Sequence, residues 1–247
     1  MEPSKLLVSG CLGRMGQTII DCAARDPEVT VVARIDIDDS LFANLPECDV
    51  AIDFSVPAFT RELVRGCAEL GKPLVMGTTG HNDGQLAVLR HAAAVLPIVL
   101  APNFSVGVNA LFWLTRKAAE ILGPGFDLEV VEMHHGLKQD APSGTAKKLA
   151  EILADARELD YAKAARHGRE GLVGPRSHSE IGVHALRGGS VVGDHTVVLA
   201  GPGERLELTH RAASRETFAL GAIRAAKWLH SQPPGLYDMM DVLGLAP

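Results

Sequence analysis

Aromatic residues are scarce, with Phe, Tyr and Trp at 4% of 247 residues. That is too few for the stacking surfaces on which proteins hold single-stranded nucleic acid. Basic residues are not in excess either. There are 24 Lys and Arg against 30 Asp and Glu, a net charge of −6, so a broad phosphate-binding face is excluded. Long apolar runs are missing. The longest, 92–102, contains Pro97 and falls short of the roughly 18 residues of a membrane span. The start, Met1-Glu2-Pro3-Ser4-Lys5, has no basic stretch ahead of an apolar one, and a cytoplasmic location is expected. The only cysteines are Cys11, Cys22, Cys48 and Cys67, none in C-x-x-C spacing. A zinc or disulfide framework is therefore not expected, and buried thiols are. Cys11 is the exception, because it lies in a glycine loop.

What is present is ample apolar material, at 47% hydrophobic and 22% charged, enough to build a core. The length falls between one and two domains. Short apolar runs alternate with helical spacing through the first hundred residues. Strands are expected at 6–8, 29–35, 49–54, 74–76 and 98–100, with helices at 17–25, 59–70 (closed by Gly71) and 82–96. This alternation predicts a parallel sheet with helices on both faces. The pattern then changes. Helices are expected from Ser105 to Leu122 and from Ser143 to Leu159. A loop is expected over 163–180, and strands of a mixed sheet at 128–133, 181–186, 196–199 and 206–209. A final helix, 214–230, carries an imperfect apolar stripe of Phe218, Gly221, Ile223, Ala225, Trp228 and Leu229, which implies burial against more than one neighbour.

Gly10-Cys11-Leu12-Gly13-Arg14-Met15-Gly16 joins the first strand to the first helix. Glycines admit a pyrophosphate close to the backbone, and the helix start offers N–H groups with partial positive charge. The spacing is G-x-x-G-x-x-G, and no Gly-Lys-Ser/Thr follows, so it is not a P-loop. Asp36 ends the second strand, 20 residues after Gly16, where a carboxylate accepts hydrogen bonds from ribose hydroxyls. Loop and acid together point to a nicotinamide dinucleotide. With Ile37 next to Asp36 there is no cation for a 2′-phosphate, so NADH is expected to serve at least as well as NADPH. Gly77-Thr78-Thr79-Gly80 and Ala101-Pro102-Asn103-Phe104 follow later strands on the same rim and are expected near the nicotinamide.

The stretch from Glu129 to Ala146 gathers His134, His135 and Lys138 ahead of Pro142-Ser143-Gly144-Thr145. Ser143 suits an N-cap, Gly144 leaves the helix start open to a ligand, and Thr145 adds a hydroxyl. A helix start beside a lysine favours a carboxylate, and an imidazole nearby can supply a proton near neutral pH. This combination suits reduction of an unsaturated bond in a carboxylate-bearing substrate, with Lys138 either holding a carboxylate or donating the proton. A metal is not expected, because adjacent histidines do not readily face one ion and no third ligand is suitably spaced.

The spacing E-x-x-E-x-H-x-x-x-K-x-D-x-P-S-G-T-A over 129–146 resembles the signature of the 4-hydroxy-tetrahydrodipicolinate reductase family. Gly10–Gly16, Ile52-Asp53-Phe54-Ser55, Gly77–Gly80, Asn103–Gly107, Val192–Thr196, Gly203–Leu206 and Ser214-Arg215 resemble its other motifs. The resemblance implies an α/β fold: a Rossmann-type cofactor domain of 1–103 and 215–247, with an inserted α+β domain of 104–214 that binds substrate and joins a homotetramer. It implies His134 as the proton donor or the residue orienting it, and Lys138 as the second essential group. His135, Gly144 and Thr145 would hold carboxylates of a cyclic dicarboxylate. Gly10, Cys11, Leu12, Gly13, Arg14, Met15, Asp36, Gly77, Thr78, Thr79, Ala101, Pro102, Asn103 and Phe104 would line NADH or NADPH. Three features depart from the family. Ile37 stands where a basic residue is common. Cys11 and Leu12 replace smaller residues, which would loosen the cofactor and open Cys11 to thiol reagents. The segment 36–49 is short for a crossover helix. Two rival readings are another dehydrogenase of an amino- or imino-dicarboxylate, such as an aspartate dehydrogenase, and a redox-sensing NAD-binding regulator without turnover. The first does not account for the His-Lys and Pro-Ser-Gly-Thr spacing, and the second does not need a proton donor.

Overall fold

The computed structural model describes residues 2–245. In chain order it begins β1 (Ser4–Ser9), α1 (Arg14–Ala23), β2 (Val29–Ile35), α2 (Leu41–Asn44), β3 (Val50–Asp53), α3 (Thr60–Leu70), β4 (Leu74–Met76), α4 (Asp83–Ala92) and β5 (Pro97–Leu100). Then come α5 (Val106–Leu122), β6 (Asp127–His134), α6 (Gly144–Ala156), α7 (Tyr161–Ala164), β7 (Ala165–His167), β8 (Ile181–Arg187), β9 (Gly193–Gly201) and β10 (Glu204–Ala212). The chain ends with α8 (Glu216–Leu229), β11 (Gly235–Tyr237) and α9 (Met239–Leu243). It forms two compact units. One runs to Val106 and resumes at Arg215, and the other is Gly107–Ser214.

The first unit holds a six-stranded sheet, ordered β11-β5-β4-β3-β1-β2 and parallel throughout. Its inner strands β3, β4 and β5 are apolar nearly end to end because both faces are covered. Leu6, Val8, Ile52, Val75 and Val99 enter one core, while Leu7, Ala51, Leu74, Met76 and Ile98 enter the other, as the twofold strand period requires. The order reverses between β1 and β3, and ligands of such sheets bind outside the carboxyl ends at that point. Between β2 and β3 there is no full crossover helix. One turn of α2 and a 3-10 turn, Leu45–Glu47, fill the space and bury Leu41 and Leu45. Helix α3 stops at Gly71, which takes φ +62°. Helix α4 ends at Ala92, short of the expected Leu96, and a turn over 93–95 leads into β5, which Pro97 opens. The buried face of α8 is broad, from Ala219 through Leu229, and meets α1, β3, β4, β5 and α9. Phe218 and Trp228, expected on the buried stripe, are half-buried. β11 and α9 were not foreseen from the sequence.

The second unit holds a five-stranded mixed sheet, β10-β9-β6-β8-β7. β6 runs antiparallel to β9 and parallel to β8. Leu128, Val130, Glu132 and His134 of β6 are buried while their neighbours are half-buried, and α6 packs against this sheet through β6, β8 and β9. The β9–β10 hairpin is longer than the periodicity predicts, turning at Pro202-Gly203 with Gly203 at φ +84°. The expected loop over 163–180 is only partly a loop, since β7 pairs with β8. No helix among the described residues is long and apolar enough to cross a membrane.

Candidate active site

In the first unit, the loop after β1 packs back on itself. Gly10 has φ +72°, and a Cβ there would stand 2.5 Å from the Phe54 carbonyl oxygen. A Cβ on Gly16 would overlap the Gly10 carbonyl. Gly13 precedes α1 without a side-chain cap, and the first turn holds no acid, so the helix start fits a phosphate. Asp36 is locked to this loop. Its Oδ2 accepts the Leu12 N–H at 2.9 Å and its Oδ1 the Ile37 N–H at 3.0 Å, which leaves each oxygen acceptor capacity for a ribose hydroxyl. Leu12 and Ile37 themselves are 75% and 91% exposed. Cys11 is the correction here. Its thiol turns into the core at 7% exposure, and burial with Asp36 and Asp39 nearby raises its pKa. It neither crowds the loop nor offers a thiolate to reagents.

The other rim loops rest on a buried carboxylate that the sequence reading passed over. Asp53, at the end of β3, accepts from Ser55 Oγ at 2.6 Å and Thr78 Oγ1 at 2.5 Å. Burial pushes its pKa up against the pull of these hydrogen bonds. Thr78 Oγ1 also accepts the Ser55 N–H at 2.8 Å, so that hydroxyl is committed inside the protein. The Phe54 ring lies over Gly77, where a Cβ would overlap it, and meets Phe104 at 5.5 Å. Ala101 and Phe104 are buried, Asn103 is half-buried, and Thr79 and Pro102 are exposed.

In the second unit, β6 carries His134 to its end and buries it. Nδ1 lies 2.6 Å from Glu132 Oε2. The other ring nitrogen, Nε2, is next to Gly193, where a Cβ would stand 3.0 Å away. Glu132, itself buried, receives both guanidinium nitrogens of Arg187 at 2.8 and 2.9 Å and the Ser143 N–H at 3.0 Å. Burial would raise its pKa, but Arg187, His134 and Ser143 together hold the carboxyl below its usual value. Ser143 Oγ caps α6 by accepting the Ala146 N–H, and lies 3.0 Å from His195 Nε2. His195 stands edge-on to His134 at 5.1 Å. Burial and the neighbouring His134 lower its pKa to about 4, so it is neutral at pH 7. Lys138 Nζ pairs with Asp140 at 2.8 Å and holds that carboxyl below its usual range. His135 donates its N–H to the Val191 carbonyl. Gly144 opens α6 with free space around its α-carbon, and Thr145 follows it half-buried. No group of three metal-ligating side chains occurs among the described residues. Ser143 caps α6 as its position predicts, whereas its contact with His195 and the roles of Glu132 and His195 went unread, although all three residues lie in family-like motifs. Arg187, one position beyond the expected strand 181–186, carried no signal in the sequence.

The other side of β6 holds a separate ionic network. Glu129 meets Arg169 at 2.6 Å, Arg176 at 3.0 Å and His184 at 2.7 Å. These partners overcome burial and lower its pKa to about 2. The network ties the irregular segment after β7 onto the sheet.

The chain matches the family models "Dihydrodipicolinate reductase, N-terminus" over residues 4–104 and "Dihydrodipicolinate reductase, C-terminus" over 107–243. It is 58% identical to the 4-hydroxy-tetrahydrodipicolinate reductase of Akkermansia muciniphila, covering 98% of both chains. It is 42% identical to that of Citrifermentans bemidjiense, covering 98% of this chain and 99% of the other. Among solved structures, a dipicolinate-bound dihydrodipicolinate reductase from Paenisporosarcina sp. TG-14 superposes with a TM-score of 0.79 at 26% identity, over 97% of this chain and 98% of that one. A probable dehydrogenase from Thermotoga maritima, at 11% identity and a TM-score of 0.61 over 98% and 93% of the two chains, shares the fold.

Proposed function

The chain belongs to the dihydrodipicolinate reductase family, and from that premise we propose how its residues divide the reaction. The activity is that of a 4-hydroxy-tetrahydrodipicolinate reductase, an NAD(P)-dependent oxidoreductase of lysine and diaminopimelate biosynthesis. The family uses NADH or NADPH. In the first unit, the backbone of Gly10, Cys11, Leu12, Gly13, Arg14 and Met15 receives the pyrophosphate and Asp36 the ribose. Gly77, Thr78, Thr79 and Ala101–Phe104 border the nicotinamide end, Thr78 through its backbone. When bound there, the dinucleotide supplies the hydride.

The second unit handles the proton and the carboxylates. His134 supplies the proton from Nε2, since Nδ1 is committed to Glu132. Lys138 provides a second positive charge, exchanging Asp140 for a substrate carboxylate or completing the proton transfer. His135, Gly144 and Thr145 take the remaining carboxylate oxygens at the helix start. The observation that carries this reading is the buried His134, held through one nitrogen beside the capped start of α6. The dipicolinate-bound relative supports a cyclic dicarboxylate as ligand. NADH serves at least as well as NADPH, because Asp36, Asp38 and Asp39 crowd the ribose end and Ile37 offers no cation. The open sheet face, with Val131, Met133 and Val198 half-buried and Leu186 exposed, joins a homotetramer. Four buried, unbridged cysteines suit the reducing cytoplasm.

The test is turnover. 4-Hydroxy-tetrahydrodipicolinate, generated in situ by the preceding synthase from pyruvate and aspartate semialdehyde, should drive oxidation of NADH and NADPH. No oxidation of either by folded protein overturns the reading. A monomer in light scattering overturns the tetramer alone.

A further inference from the structure

Glu132 is a carboxylate with no acceptor site to spare. Oε2 receives His134 Nδ1 and one Arg187 nitrogen, and Oε1 receives the other Arg187 nitrogen and the Ser143 N–H. Four donors match the roughly four lone-pair sites of an ionised carboxylate. An acceptor so filled has no place for a proton of its own, so His134 must present Nδ1 as a donor. That leaves Nε2 as the nitrogen that gains and loses a proton. The same carboxylate holds Ser143, whose Oγ caps α6. Arg187 in turn donates to the Asp140 carbonyl at 2.6 Å, next to the carboxylate that holds Lys138.

We propose that Glu132 and Arg187 are positioning residues for the reduction: the saturated carboxylate fixes the Nδ1–H tautomer of His134 and ties that ring to the start of α6, and Arg187 holds the carboxylate in place. The proposal rests on His134 being the proton-handling residue. It adds a group 53 positions from His134, supplied by the parallel pairing of His134 with Arg187 across β6 and β8. The charged and titratable groups around the imidazole are Glu132 on β6, Arg187 on β8, His195 on β9, His210 beyond it on β10, and Lys138 with Asp140 in the following loop. Of these, only Glu132 touches His134 by a hydrogen bond that the structure records. Its charge and that of Arg187 therefore act on the ring with opposite signs.

The signs give the test. As proton donor, His134 acts only while Nε2 carries its proton. Glu132→Gln removes the negative charge and should move the alkaline limb of the kcat/KM profile to lower pH, by about one unit, with kcat falling about tenfold or more and KM for NADH unchanged. Arg187→Gln removes the positive charge and should move the same limb to higher pH, and Arg187→Lys should return it toward the wild type. A merely structural role lowers Tm and moves neither limb, so unmoved limbs in folded variants overturn the proposal. Should the variants fail to fold, ¹⁵N NMR of the wild-type imidazoles decides. Nδ1–H on neutral His134 is expected, and Nε2–H overturns the proposal. Wild-type protein without turnover would defeat the reductase reading instead, and the tautomer measurement would still stand apart from it.

Discussion

In the first unit the groups that face the expected ligand are mostly backbone, whereas in the second they are interlocked side chains. Gly10 and Gly16 are required because Phe54 and the loop itself approach within a Cβ's reach, while Leu12 and Ile37 project into solvent. Around His134 each side chain serves several others: Glu132 alone has four hydrogen bonds from three residues. A backbone cradle tolerates side-chain replacement as long as the glycines stay. A saturated side-chain network tolerates little, since removing one member leaves buried partners unpaired.

The largest expected effect tests that contrast directly. His134→Ala and Lys138→Ala should each lower kcat by about 10²–10⁴, while Leu12→Ala should leave it within about threefold, all by steady-state kinetics. An equal loss from Leu12→Ala would break the comparison. Next comes Gly16→Ala, where the new methyl meets the Gly10 carbonyl. Overpacking of this kind costs about 1–3 kcal/mol, read as a lower Tm, with the Kd for NADH raised about tenfold or more for a similar energy.

Groups in the two units should also answer pH with opposite signs, His195 and Glu129 in the second against Asp53 in the first. In the second, His195 is held neutral down to about 4 and Glu129 charged down to about 2. Both native groups bind fewer protons than unfolded ones, so stability falls as pH drops, first between about 6.5 and 4, then between about 4.5 and 2. Each contributes on the order of 2 kcal/mol, Glu129 being partly screened by solvent. In the first unit Asp53 has a raised pKa. Its native form binds more protons, so its contribution is largest at low pH and declines as pH rises through the native pKa. Trp113 lies in the second unit and Trp228 in the first. Urea titrations of Trp113→Phe and Trp228→Phe variants at several pH values therefore follow the units separately. Glu129→Gln should weaken the lower acid window, to which Glu132 and Asp140 also contribute, and Asp53→Asn should remove the opposite slope that Asp53 supplies.

Smaller effects belong to the exposed ribose end. Ile37→Arg should raise the NADPH/NADH ratio of kcat/KM about tenfold, the worth of one charge-assisted hydrogen bond. Smallest of all, Cys11 should resist thiol reagents in the native protein and react only on unfolding, as mass spectrometry would show.

Much of this was legible in the sequence, for local reasons. Strand-helix alternation and turn glycines mark the parallel sheet, and Gly71 and Ser143 end and cap their helices as read. What escaped was short or distant. β7 (Ala165–His167) and β11 (Gly235–Tyr237) have three residues each and, unlike β4, no apolar run to mark them, and β11 follows two prolines; they pair because β8 and β5 offer an edge. Cys11 read as a loop residue, yet its thiol joins the core between the sheet, α1 and α8.

The sequence by itself determined the chemistry on offer: a glycine loop, an acid at a strand end, and His134, Lys138 and Ser143 within ten positions, because backbone conformation and capping depend on near neighbours. Tertiary structure alone decided which charges meet. Arg187 reaches Glu132 and His134 only through strand register, and a carboxylate's pKa and an imidazole's tautomer are set by what surrounds them once water is excluded.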